Sequence, residues 1–130
     1  MRILLVEDND MNSDFVVAVF VPEGHDITLA KTGPQGLAAG LQGEFDLILL
    51  DIELPGLKGD AICRKLHDAG VRTPIVALTA SAMPDQIAIF HAAGFDEVIT
   101  KPSEPEQLRA MARRYDPNPT EVDSATTPGD

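Results

Sequence analysis

Short apolar runs alternate with longer amphipathic stretches over the first 115 residues of the chain. Five runs have the length of a strand: 2–6, 27–30, 47–50, 75–78 and 97–99. The first, third and fourth contain ILLV, LILL and IVAL, nearly unbroken apolar sequence that suits strands covered by helices on both faces. These three are expected at the centre of a sheet. Between the runs, the spacing predicts helices over 10–20, 34–42, 60–68, 84–93 and 104–114. Pro34 and Pro84 suit a first helical turn, where a missing N–H costs nothing, and Gly24, Gly70 and Gly94 close helical segments. Ser103 and Glu106 have the spacing of a capping box before the last helix. Met83, Ile87 and Phe90 share a helical face and read as a packing surface.

A strand and a helix repeated five times predict an α/β fold, a (βα)5 doubly wound sheet of five parallel strands in the flavodoxin-like order 2-1-3-4-5. The 130 residues suit one domain, placed at 1–115, and residues 116–130, acidic and rich in Pro, Ser and Thr, read as a disordered tail. No output domain in cis is expected after residue 115. The N-terminus lacks the features of a secretory signal and no apolar run approaches a membrane span, so a cytoplasmic location without membrane attachment is expected. A net charge of -11 argues against nucleic acid as a partner. The one cysteine, Cys63, cannot form an intrachain disulfide and reads as a core or half-buried helix residue, while His25, His67 and His91 read as separate surface residues.

In a doubly wound sheet, chemistry gathers at the C-terminal ends of the strands. The first strand runs into Glu7 and Asp8, the third into Asp51, the fourth into Thr79, and the fifth into Thr100, Lys101 and Pro102. Three carboxylates in one crevice repel by about 4 kcal/mol per pair at 4 Å and an effective dielectric of 20, which a bound cation relieves. Hard oxygen ligands favour Mg2+ or Mn2+. The loop after the first strand, VEDN, has no glycine to cradle a nucleotide phosphate. A metal, a carboxylate nucleophile, an ammonium and a hydroxyl are instead the parts of phosphoryl transfer to an aspartate.

With VEDN at 6–9, LLDIELPGLKG at 49–59, ALTASAM at 77–83 and TKP at 100–102, the chain resembles the receiver domains of two-component response regulators, including stand-alone chemotaxis and cell-division regulators. The resemblance implies Asp51 as phosphoacceptor, Thr79 as the phosphate-sensing hydroxyl and Lys101 as ion-pair partner. It implies Glu7, Asp8, Asp51 and the backbone carbonyl of Glu53 as metal ligands, Glu7 mostly through water, and a cis bond before Pro102. A histidine kinase or histidine phosphotransfer protein would donate the phosphoryl group. The output would be a protein–protein contact made by a monomer or weak dimer, with no separate substrate turned over.

The sequence departs from the pattern at Val98, where such domains usually carry a Tyr or Phe whose rotation relays the signal, and at Ser103, often apolar. Glu53 and Ser81, two positions after the acceptor and after the threonine, are the expected modulators of phosphorylation lifetime. Glu53 would disfavour an acidic phosphodonor and Ser81 would leave water unobstructed. Two signalling alternatives are a phosphate sink without an effector and a pseudo-receiver that only binds. An enzymatic alternative, a haloacid-dehalogenase-like phosphatase, wants Asp and Thr where this chain has Glu53 and Pro55.

Overall fold

The structure, a computed structural model, describes residues 1–101 and 103–117. The apolar runs form β1 (Arg2–Val6), β2 (Asp26–Ala30), β3 (Leu47–Asp51), β4 (Ile75–Thr79) and β5 (Glu97–Thr100). All pair in parallel, in the order β2-β1-β3-β4-β5. The helices are α1 (Asp10–Phe20), α2 (Gly33–Gln42), α3 (Gly59–Asp68), α4 (Pro84–Ala93) and α5 (Pro105–Tyr115), with a short 3-10 turn at Val21–Glu23. All five predicted strands and all five predicted helices are present, with boundaries that differ by at most one residue at either end; hydrogen bonding carries β3, β4 and β5 one residue past their apolar stretch, to Asp51, Thr79 and Thr100.

The alternation of side chains along each strand feeds two cores. Leu4, Val6, Ile48, Leu50, Ile75 and Ala77 meet Ile62, Cys63 and Leu66 of α3 and Phe90 and Ala93 of α4 on one face. Ile3, Leu5, Leu47, Leu49, Val76 and Leu78 meet Val16, Val19 and Phe20 of α1 and Leu108, Met111 and Ala112 of α5 on the other. Val98 is half-buried at the margin of the first core, which also holds the edge-on pair Phe90 and Phe95. At the sheet edge, Glu97 holds α5 through Arg114 and through Tyr115, whose hydroxyl donates to Oε1 at 2.9 Å.

Three local expectations are corrected. Met83 does not pack with Ile87 and Phe90: it stands just before α4 and is 59% exposed, because the helix has not yet begun there. Ser103 does not cap α5. The helix begins one residue later, so Glu104 takes the N-cap position, Ser103 donates to the Thr100 carbonyl, and Glu106 pairs with Arg109 and Arg113. His25 is half-buried rather than on the surface, its ring edge-on to Phe20 and its Nδ1 3.0 Å from the N-terminal amine. The expected cis bond at Pro102 and the tail from residue 118 onward lie outside the described residues.

Candidate functional site

Main-chain hydrogen bonds continue beyond the strands and fix the backbone of the site. Glu7 N–H donates to the Ala30 carbonyl at 3.0 Å, Ile52 N–H to Leu78 at 2.9 Å, and Lys101 N–H to Thr79 at 2.7 Å. Behind the acceptor candidate, α3 begins so close that a Cβ on Gly59 would lie 2.6 Å from the Asp51 carbonyl oxygen; only glycine permits that approach. Between them the loop turns at Gly56, whose φ of 77° is in the left-handed region.

On this frame, Glu7, Asp51 and Thr79 are buried at 1%, 2% and 1% exposure, and Asp8 faces solvent. Glu7, Asp8 and Asp51 each offer an oxygen within 4.8 Å of the others. Lys101 Nζ stands 3.1 Å from Asp51 Oδ1 and 3.3 Å from Glu7 Oε1. Burial, followed by the hydrogen bond and the charge of Asp51, pushes the Glu7 carboxyl up to about 7. Burial alone would lower the Lys101 ammonium, yet its two carboxylate partners outweigh it and raise its pKa. Lys101 is shared by Glu7 and Asp51, with Asp8 close by, so the cluster holds more acids than cations, and the negative charge of Asp51 adds to burial in raising the proton affinity of Glu7. The donor set, carboxylate oxygens with no thiolate or imidazole, fits a hard divalent cation such as Mg2+.

Glu53 and Ser81 extend the polar cluster from Asp51 to the end of β4. Glu53 donates its N–H to Asp51 Oδ1 at 3.0 Å and sends its side chain to the next strand end. There Thr79 Oγ1 lies 2.7 Å from Glu53 Oε2 and 2.9 Å from the Ser81 carbonyl oxygen, two acceptors for one proton. Ser81 N–H donates back to Thr79 Oγ1, and Ser81 Oγ donates to Gln86 Oε1 at 2.7 Å. Val98 makes no part of this polar cluster and packs in the core margin.

Sequence reasoning missed three contributors. Asn9 N–H donates to Glu7 Oε2 while the Asn9 side chain caps α1 by accepting the Asn12 N–H at 2.9 Å, a role its place before a helix could have signalled. Gln86 accepts both Ser81 Oγ and the Met83 N–H, and its position three residues after the N-cap was the available cue. Ala80 contributes only its N–H, which no side-chain pattern could reveal.

Residues 3–113 match the response regulator receiver domain family. The chain is 39% identical over 113 residues to the sensor histidine kinase AruS of Pseudomonas aeruginosa, covering 84% of this chain and 11% of that protein. It is 38% identical over 126 residues to the DNA-binding response regulator MtrA of Mycobacterium leprae, covering 93% of this chain and 55% of that one. In both comparisons the chain spans only part of the relative. Among solved structures, the receiver domain of a sensor histidine kinase from P. aeruginosa PAO1, which has a magnesium ion coordinated in its active-site cleft, is 32% identical with a TM-score of 0.81. That match covers 88% of this chain and 95% of the other. The chemotaxis protein CheY4 of Vibrio cholerae is 25% identical with a TM-score of 0.81, covering 88% and 97%. Fold, strand-end chemistry and sequence converge, and the chain belongs to the response regulator receiver domain family of two-component signal transduction.

Proposed function

We propose that residues 1–115 act as a phosphorylation-operated switch whose acceptor is Asp51, with Mg2+ held by Glu7, Asp8, Asp51 and the Glu53 carbonyl. The observation that carries this reading is the position of the Asp51 carboxylate, buried at a strand end, 3.1 Å from Lys101 Nζ and clustered with two further acids. A histidine kinase or phosphotransfer protein supplies the group: the P–N bond of its phosphohistidine breaks as an Asp51 oxygen bonds phosphorus. The departing imidazole nitrogen keeps the electron pair and takes up a proton. Bound Mg2+ would supply positive charge against the phosphoryl oxygens. Lys101 adds its ammonium, and Thr79 offers a hydroxyl hydrogen bond.

A groove of about 300 Å³ beside Glu7 and Lys101, lined by Met11, Phe15 and Leu108, offers a phosphodonor protein an apolar surface next to the acceptor. Met11 is 82% exposed there. Among the described residues no helix is long and apolar enough to cross a membrane. The output is a protein–protein contact, and the domain turns over no substrate of its own.

Incubation with acetyl phosphate and Mg2+ is expected to place one phosphoryl group on the protein and none on Asp51→Asn. Incorporation into Asp51→Asn, or none into either form, overturns the assignment. Using the phosphorylated and unmodified forms as bait then separates a signalling domain from a phosphate sink, which would gain no partner on phosphorylation.

A further inference from the structure

The hydroxyl and amide best placed for a phosphoryl oxygen already hold an anion. Thr79 Oγ1 lies 2.7 Å from Glu53 Oε2, and the Ala80 N–H faces both Glu53 carboxylate oxygens at 3.3 Å. Glu53 is tied to the acceptor by its own N–H on Asp51 Oδ1, so the side chain bridges the ends of β3 and β4 beside the reacting carboxylate. Hydrogen bonds to an ionised acceptor are shorter and stronger than neutral ones, and Thr79 is buried, so this seat is not a casual surface contact.

We propose that the Glu53 carboxylate is an internal stand-in for the phosphoryl group, occupying the Thr79 and Ala80 donors in the unmodified protein, and that phosphorylation must displace it. The proposal rests on Asp51 being the acceptor. It gives geometry to the expectation that Glu53 disfavours an acidic donor: the obstacle is competition for two donors, in addition to charge repulsion at a distance. Displacement is feasible because the glutamate is exposed and regains water as it leaves. One anion replaces another on the same donors, so the hydrogen bonds lost to Glu53 are subtracted from those gained by the phosphoryl group. The Thr79 proton, which also has the Ser81 carbonyl within 2.9 Å, is released from Glu53 in the same exchange.

The test compares wild type, Glu53→Ala and Glu53→Asp by titration with beryllofluoride and Mg2+, followed through the backbone amide spectrum. Glu53→Asp keeps the charge but is one methylene too short for the seat. Both variants are expected to bind about tenfold more tightly than wild type, a change of about 1.4 kcal/mol. Both should also shift the Ala80 amide resonance before any ligand is added. Glu53→Asp binding as weakly as wild type while Glu53→Ala tightens would reduce the effect to charge repulsion and overturn the seat. Equal or weaker binding by Glu53→Ala overturns it too. If no form binds beryllofluoride and none takes a phosphoryl group from acetyl phosphate, the acceptor reading fails and the proposal with it.

Discussion

Aspartates stand at both ends of this sheet, and they do opposite things. At the N-terminal end of the strands, Asp46 Oδ2 accepts the Arg2 N–H at 2.9 Å and Asp96 Oδ2 accepts the Ile75 N–H at 2.9 Å. Each closes a strand by satisfying a main-chain donor. At the C-terminal end, Asp51 shares Lys101 with Glu7, beside Asp8, in a cluster of more acids than cations. The first set is satisfied by the fold, whereas the second is satisfied only in part. A carboxylate that the fold leaves short of positive charge is one that a metal or a phosphoryl group can use.

The sharpest way to break this comparison is to neutralise one aspartate at each end. Asp51→Asn is expected to reduce phosphoryl incorporation to background and, without metal, to raise stability by about 1 kcal/mol, since it removes one of three mutually repelling acids. Thermal melts in a chelator check the sign; a destabilised Asp51→Asn would show that pairing with Lys101 outweighs the repulsion.

The next largest effect concerns Glu7, whose folded carboxyl is pushed from 4.5 up to about 7. The folded state therefore binds its proton more tightly than the unfolded chain does. That preference favours the fold fully below pH 4.5 and is lost as the pH rises through about 7, by up to about 3 kcal/mol. Glu7→Gln should lack this component, and Mg2+ should offset it in the wild type. Melting temperatures of both proteins from pH 4.5 to 8, with chelator and with Mg2+, supply the measurement. Parallel pH profiles would remove Glu7 as the source.

The smallest effect is expected at the opposite end, where Asp96→Ala should cost about 1 kcal/mol by orphaning the Ile75 N–H and leave phosphorylation by acetyl phosphate unchanged. Denaturant titration and the same incorporation assay test it together. Loss of phosphorylation in Asp96→Ala would show that the two ends are coupled.

The fold was legible because its strands are nearly pure apolar sequence and its helices are punctuated. α1 and α4 have the bounds that Pro84, the apolar spacing and the closing glycines suggested. Local competition was harder to read: Ser103 found the Thr100 carbonyl and Glu106 found two arginines, so residue spacing that would suit a cap served other bonds. Glu7, Asp8, Asp51, Thr79 and Lys101 were legible as a group because strand ends converge in this topology. The Glu53 seat was not, since it joins residues 26 apart in sequence through a side-chain direction and an N–H from Ala80. Val98, where an aromatic residue was expected, packs at the core margin, whereas the hydrogen bonds from Thr79 through Ser81 to Gln86 lead toward the exposed start of α4.

The ladder that runs past the strand ends divides the site into amides that exchange on different clocks. Glu7, Ile52 and Lys101 each donate to a main-chain carbonyl of a neighbouring strand, so deuterium should enter them only when the sheet opens. The Ala80 amide leans on an exposed glutamate, and each excursion of that side chain lays it open to solvent. Slow labelling at the three and fast labelling at the one would mark a stationary scaffold carrying a single replaceable counter-ion, in the same protein and in the same spectrum.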